Sequence, residues 1–218
     1  MDTHRILAGP PRPHGHEHEY ANFLHTLAGL LELEMYDRAR QFMDDVAGAR
    51  ARPAGGLTER VREPLVGALL LGKSAVAADR GVTLRIAEGT YLPHTAAAPR
   101  DLVTVVGNLV DNALDAVAAH RAADPFVEVE LRAEGRTAVV RVADNGPGVP
   151  AGRRESVFAE GWSTKPAACP AGRGLGLALV RRVAERYDGE ATACDRAGGG
   201  AEFTVVLPRA LVPDGGNR

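Results

Sequence analysis

Four stretches of this sequence hold residues whose types and spacing could do chemistry. Asn108 and Asn112 stand four apart, on one face if their segment is helical. Asn costs about half a kcal/mol relative to Ala in a helix interior, so two on one face point to a polar task or to a solvated face. An amide oxygen there suits Mg2+ held between phosphates, because hard cations prefer oxygen ligands. Asp144-Asn145-Gly146-Pro147-Gly148-Val149 follows an alternating apolar run. Asp, Asn and Gly also make an ordinary turn at a strand end, so this run alone decides nothing. Gly172-Arg173-Gly174-Leu175-Gly176-Leu177 stands where a helical pattern begins. Glycines there offer backbone N–H groups and the positive end of the helix dipole to phosphate oxygens, or simply allow close helix packing. The run is no dinucleotide fingerprint, since no strand directly precedes it, and no P-loop, since it lacks the Gly-Lys-Ser/Thr ending. Last come the histidines: His14, His16 and His18 cluster, with His25 close by. On a helix His18, Asn22 and His25 share a face. A neutral imidazole has a free lone pair and is a competent nucleophile; a solvated arm or a weak metal binder is the plainer reading.

These groups need elements to position them. Residues 1–15, rich in Pro, Gly and His, read as disordered. From His16 to Ala47 the pattern is helical, with Phe23, Leu27, Leu30 and Leu31 near the 3.6-residue period and a break between Glu34 and Tyr36. Gly48 to Gly56 reads as a turn. A third helix is expected from Thr58, as N-cap, to Ala78, with Glu59 and Glu63 near its positive end and Pro64 bending it. Val82 to Ala87 alternates like a strand, and Pro99 with Asp101 opens a long amphipathic helix to His120. Val127–Ala133 and Thr137–Ala143 form a hairpin around Glu134-Gly135-Arg136. A glycine-rich loop region covers residues 144–173, then a helix runs from Gly174 to Tyr187. Glu190–Cys194 and Ala201–Leu207 pair around Gly198-Gly199-Gly200. The layout is a helical hairpin followed by an α+β sandwich.

Taken in order, the asparagine helix, the Asp144 run, Phe158-Ala159-Glu160-Gly161-Trp162-Ser163-Thr164-Lys165 and the Gly172 run resemble the N, G1, F and G2 boxes of sensor histidine kinase catalytic domains. Gly199-Gly200-Ala201-Glu202-Phe203 to Pro208 resembles that family's closing hairpin, so the likeness covers about residues 60 to 208. It implies the Bergerat ATP-binding fold, a two-layer α/β sandwich with a mixed sheet packed on helices, preceded by a helical hairpin. The domains expected are a disordered segment 1–15, a dimerisation and phosphoacceptor hairpin 16–57, an ATP-binding domain 58–209 and a disordered tail 210–218. By the resemblance Asp144 accepts a hydrogen bond from the adenine amino group, and Gly146 and Gly148 let the backbone pass close to the ring. Asn112 ligates Mg2+ with Asn108 in polar support, and Gly172, Gly174, Leu175 and Gly176 belong to the loop cradling the triphosphate. Residues 150–173 form a mobile lid. Lys165 and Arg173 are candidate phosphate contacts, with surface charge the equal alternative, while Phe158 and Trp162 anchor the lid. His18-Glu19-Tyr20-Ala21-Asn22-Phe23-Leu24-His25, continued by Thr26 to Leu31, resembles the phosphoacceptor box of the citrate and C4-dicarboxylate type. By it His18 is the phosphoacceptor, Glu19 an adjacent acid/base, and Asn22 positions water for dephosphorylating the partner. His16 and His25 are the alternative acceptors. Phe23 stands where that box commonly carries a basic residue.

The bulk numbers set the remaining bounds. In 218 residues, 45% hydrophobic and 25% charged, the balance is that of a soluble globular protein with room for one domain and a smaller element. Only 5% are aromatic, so the core must rest on Leu, Val and Ala. A net charge of −2 gives no support for a sequence-independent grip on nucleic acid. Cys169 and Cys194 lack any CxxC context, which argues against a disulfide framework or zinc site and fits a reducing compartment. No stretch approaches the roughly 18 to 20 apolar residues that cross a bilayer, and Met1 to Pro13, charged and with three prolines, is no signal peptide. The expectation is a cytoplasmic polypeptide whose longer parent sits in the inner or plasma membrane. The activity expected is Mg2+-ATP-dependent autophosphorylation and transfer to an aspartate of a response regulator receiver domain, in a homodimer paired through the N-terminal helices. ATPases of the same fold place Glu four residues before the Mg2+-binding Asn as general base; here that position is Asn108. Such an ATPase, and an ATP-binding regulatory module without kinase activity, are the rival readings.

Overall fold

The computed structural model describes residues 25–47, 57–93, 99–120, 123–162 and 174–211. The chain divides into two compact units, Met1–Ala49 and Arg50–Arg218.

In the first unit residues 25–32 form helix α1 and Tyr36–Ala47 form α2. The expected break between them is a left-handed closure. Glu34 stands at φ 56°, Met35 N–H donates to the Leu30 carbonyl at 2.9 Å, and Glu34 N–H donates to that of Leu31 at 3.0 Å. Those two bonds satisfy carbonyls the ending helix would leave orphaned, in a position usually given to Gly. Leu31, Leu33, Tyr36 and Met43 are exposed.

The second unit runs α3 (Leu57–Arg60), α4 (Pro64–Asp79), β1 (Thr83–Ile86), α5 (Pro99–His120), β2 (Phe126–Glu134) and β3 (Thr137–Asp144). Two short 3-10 turns follow, Ala151–Arg153 and Ser156–Phe158, then α6 (Gly176–Arg186), β4 (Glu190–Asp195) and β5 (Ala201–Leu207). The strands order β1-β2-β3-β5-β4. β1 lies parallel to β2 and every other pair is antiparallel. A parallel pair needs a crossover, and α5 supplies it. Helices α4, α5 and α6 pack on one face of the sheet. The opposite face is polar: Arg141 on β3 bonds Glu130 at 3.1 Å and Glu202 at 2.8 Å, so charges on three strands close a network among themselves.

Helix α5 is the spine of the unit. Leu102, Val105, Val106, Leu109, Val110, Ala113, Leu114 and Val117 are buried, the i, i+3, i+4, i+7 spacing of a core-facing stripe. Against the expectation that no stretch is long and apolar enough for a bilayer, α5 is one. An 18-residue window of α5 has mean hydropathy 1.4, enough by length and composition, and 44% of it is buried within the protein. Its apolar side is the core of this fold.

The expected third helix also differs. Val61 pairs with Leu92 in an isolated bridge between α3 and α4, and the main helix starts at Pro64. Proline inside a helix loses a hydrogen bond and clashes with the preceding turn, whereas at the first position its missing N–H costs nothing. The capping residue is Glu63, buried, whose carboxylate accepts the Leu65 N–H at 3.2 Å. Helix α6 begins two residues later than expected, because Gly174 is at φ 69° and cannot be helical. Replacing Leu109, 0% exposed, by Ala should lower stability by about 2–5 kcal/mol. An unchanged urea midpoint would remove Leu109 from the shared core.

Candidate functional site

A cavity of about 450 Å3 opens between α5, the turn after β3, and the first residues of α6 and β5. From α5 come Asn112, Asp115, Ala116 and Ala119; from the turn come Asp144, Pro147, Gly148 and Val149; and Val157, Trp162, Leu177 and Phe203 give apolar walls. Asp144 ends β3 and is 1% exposed. A carboxylate so buried needs donors. Its Oδ1 accepts the Gly146 N–H at 2.8 Å and the Ala201 N–H at 3.4 Å. Burial pushes its carboxyl above the ordinary Asp value, while those two N–H groups and the Arg196 guanidinium pull it back.

The glycines around it are demanded by close approach. A Cβ on Gly146 would lie 3.2 Å from the carbonyl carbon of Ala116, so the turn lies flush against the α5 backbone. A Cβ on Gly200 would fall 1.9 Å from the Asp144 carbonyl oxygen, so the β4–β5 turn seats against the same residue from the other side. Gly148 takes φ 76°, a left-handed conformation that glycine adopts without strain. Asn145 has a structural job that sequence reasoning missed: its Oδ1 accepts the Phe126 N–H at 2.9 Å and its Nδ2 donates to the Asp124 carbonyl at 3.1 Å.

The two asparagines on α5 separate. Asn108 Nδ2 donates to the Thr104 carbonyl at 2.7 Å, and a Cβ on Gly176 would meet Asn108 Oδ1 at 2.7 Å. Asn108 is thus wedged against the start of α6 and explains why residue 176 is glycine. Asn112 lines the cavity, and its side chain makes no hydrogen bond among the described residues. A single neutral amide oxygen fits Mg2+, which binds few protein groups and takes its other ligands from phosphates and water. Gly174 is compelled by both φ 69° and the Trp162 carbonyl oxygen, 2.4 Å from where its Cβ would be. Leu175 is 49% exposed and does not line the cavity.

Of the expected site residues, the structure brings Asp144, Gly148 and Asn112 to the cavity, with Gly146 beneath it and Asn108, Gly174 and Gly176 at the approach to α6. His18, Glu19, Asn22, Lys165, Gly172 and Arg173 lie outside the described residues. Phe158 does not reach the cavity; it packs edge-on against Phe203, ring centres 6.1 Å apart. Trp162 does line it, where the sequence suggested an anchor alone. Ala116 and Ala119 follow Asn112 at i+4 and i+7, so helical spacing could have found them; Val157 and Phe203 had no such signal. Chemically the site is a cavity with mostly apolar walls and one buried carboxylate in its lining, suited to a heterocycle bearing an N–H donor. Asn112 stands on the same wall, where a cation between phosphates could lie.

The family described as histidine kinase-, DNA gyrase B-, and HSP90-like ATPase matches residues 97–211. A probable C4-dicarboxylate sensor kinase of Halalkalibacterium halodurans is 34% identical over 194 residues, 88% of this chain and 36% of that protein. The sensor histidine kinase DpiB of Escherichia coli is 32% identical over 199 residues, 90% of this chain and 36% of that one. This chain therefore spans about a third of the length of these relatives. Among solved structures, full-length ShkA in complex with AMPPNP aligns with TM-score 0.55 and 26% identity, covering 79% of this chain and 36% of that chain.

The buried carboxyl sets a linkage that can be measured. A raised pKa in the fold means that ionised Asp144 opposes folding; the stabilisation of its neutral form is complete below the unfolded pKa and is lost as pH rises through the folded one. Asp144→Asn keeps an oxygen for the Gly146 and Ala201 N–H groups and removes the charge. Its melting temperature should equal or exceed wild type at pH 7, with the difference shrinking towards pH 4. A large loss of stability at pH 7 would contradict this account of the burial.

Proposed function

The chain belongs to the histidine kinase-, DNA gyrase B- and HSP90-like ATPase family, and from that membership we propose that it is the catalytic part of a sensor histidine kinase, moving the γ-phosphoryl group of Mg2+-ATP to its own His18 and from there to an aspartate of a response regulator receiver domain. The observation that carries the nucleotide half is the 1%-exposed Asp144 carboxylate lining a largely apolar cavity that Asn112 also lines. The carboxylate takes the adenine amino N–H; Val149, Leu177, Phe203 and Trp162 cover the ring. Asn112 would hold Mg2+ through its amide oxygen, and the ion would supply positive charge to offset that of the phosphates. Lys165 and Arg173 belong with the phosphates in this reading.

Two observations favour kinase over ATPase. The likeness to sensor kinases extends over 88% of the chain, more than the second unit alone can supply, so it reaches into the helices of the first unit. Where an ATPase of this fold would carry its general base, Asn108 is committed to Thr104 and packed against Gly176, and an amide cannot take a proton near neutral pH. An imidazole nitrogen of His18 needs no strong base to attack. Its N–P bond forms as the bond from the γ-phosphorus to the bridging oxygen breaks, ADP leaves with the electron pair, and Glu19, next in sequence, takes the imidazole proton. Asn22 positions the water that later removes the phosphoryl group from the partner. The exposed Leu31, Tyr36 and Met43 of α1 and α2, with Leu33 in the turn between them, suit pairing with a second subunit. The relatives' greater length suits a parent that carries sensing parts and an inner-membrane anchor, with this part on the cytoplasmic side where ATP is.

Incubation with γ-labelled ATP and Mg2+ tests the proposal. Acid-labile, base-stable label is expected on the intact chain and not on His18→Gln; equal label on both would move the acceptor to His16 or His25. Rapid phosphate release with no phosphoprotein would make the chain an ATPase, and binding without either product a nucleotide-binding module. Asp144→Asn should weaken ATP by about 10- to 100-fold, because its amide N–H meets the adenine N–H and leaves two donors opposed. Asn112→Ala should weaken the Mg2+-dependent part of binding at least about tenfold, the loss seen even for residues behind a metal ligand.

A further inference from the structure

The sheet ends at β4, and among the described residues no strand pairs with its outer side. An edge strand presents a row of unpaired N–H and C=O groups, and here the register says which. Arg196 N–H donates to the Gly200 carbonyl at 3.1 Å, and pairing continues from Asp195↔Ala201 to Glu190↔Val206. Because bonding alternates along an antiparallel ladder, Glu190, Thr192 and Cys194 turn their backbone groups to β5. Ala191, Ala193 and Asp195 turn theirs to the open edge.

Beside that edge lies a second cavity, about 380 Å3, between β4, α6 and the segment holding Arg154 and Phe158. It has room because the helix-facing residues of β4 are alanines, Ala191 and Ala193, opposite Ala184 of α6. Phe158, 4% exposed, gives it an apolar floor. Arg154 is tied to Asp195 at 2.5 Å and Arg181 to Glu185 at 3.1 Å. Glu155 and Glu190 border the cavity, exposed and with no ion pair among the described residues. The unneutralised charge of the groove is therefore negative. The Nε of Arg154 is buried and finds no acceptor among the described residues. The guanidinium thus gives up no hydrogen bond there if it re-aims Nε at a carbonyl placed in the groove.

We propose that the groove between β4 and α6 binds an extended, basic peptide segment of a partner protein, which adds to β4 as a further strand. The free N–H and C=O groups of Ala191 and Ala193 hold its backbone, the alanine-lined cavity takes its alternate side chains, and Glu155 and Glu190 attract its Lys or Arg residues. This is recognition by strand addition, in which main-chain bonds give affinity and pockets for alternate side chains give specificity. It uses none of the residues assigned to the nucleotide, so it stands or falls apart from that assignment.

The probe is fluorescein-labelled acetyl-Lys-Val-Lys-Val-Lys-Val-Lys-amide, titrated with the full chain and read by anisotropy, with a Glu-for-Lys peptide as control. Saturable binding of the basic peptide alone is expected. Ala193→Pro removes one outward N–H and leaves the β4–β5 ladder intact, since an edge strand tolerates proline where its N–H faces out. It should weaken binding about fivefold, the worth of one backbone hydrogen bond. Should that variant fold poorly, Glu190→Lys keeps the test open: it should weaken binding comparably and flatten its salt dependence. No saturable binding, equal binding of the acidic peptide, or indifference to Glu190→Lys would overturn the proposal. So would a wild-type dimer that Ala193→Pro dissolves in sedimentation, which would give the edge to a second copy of the chain.

Discussion

A carboxylate that is 1% exposed is costly unless donors surround it, and the donors of Asp144 come from two separate parts of the chain. Gly146 N–H belongs to the turn that leaves β3, and Ala201 N–H to the first residue of β5. Bringing both within reach of one oxygen obliges the β3 turn and the β4–β5 turn to meet at this point. Both can do so only without side chains, at Gly146 against the α5 backbone and at Gly200 against the Asp144 carbonyl. The raised carboxyl pKa records what remains uncompensated. A fold that keeps such a group gives up stability at neutral pH, a trade common at functional sites.

The same turn contact is supported from the outer side of the sheet. Phe126 at the start of β2 lies between two guanidinium groups, Arg85 at 4.2 Å and Arg196 at 4.7 Å from the ring centre. Arg196 also donates to the Gly199 carbonyl at 3.0 Å and contributes positive charge near Asp144. One arginine therefore links the glycine turn, the aromatic ring and the buried carboxylate. Asn145, bonded to Phe126 and Asp124, fastens the same corner through the backbone. If the cavity takes a nucleotide base as proposed, this corner must be stiff, because a hydrogen-bond acceptor discriminates between bases only when it cannot move to suit them.

Helix α5 divides its labour by face. Its apolar stripe fills the core, and Asn112, Ala116 and Ala119 form a wall of the cavity. Lys73 holds Asp111 at 2.6 Å and Arg80 holds Asp115, itself at the cavity, at 2.7 Å, fastening α4 to α5 through charges. Small residues at 116 and 119 leave the slot open, and their size matters as much as the chemistry of Asn112. At the far edge of the sheet alanines again make space, under β4.

The amino-acid sequence by itself determined the order of elements and the site's chemical vocabulary. Pro99–His120 and strands β2, β3 and β5 were legible because their apolar periods are long and uninterrupted. Asp144, Asn112 and the glycine runs were legible because each combines residue types that a core or a plain helix disfavours. What only the tertiary structure decided are relations between segments distant in sequence. Of two asparagines on one helix face, packing against Gly176 takes Asn108 out of the cavity and leaves Asn112 in it. Pro64 begins its helix where the sequence pattern let it sit inside one, since the bridge between Val61 and Leu92 breaks the helix just upstream. The glycines of the site answer to backbone and side-chain atoms up to about 70 residues away in sequence, at Asp144, Ala116, Trp162 and Asn108. Local propensity and periodicity act over a few residues, whereas close approach and burial are set by which surfaces meet, and that is decided only when the chain has folded.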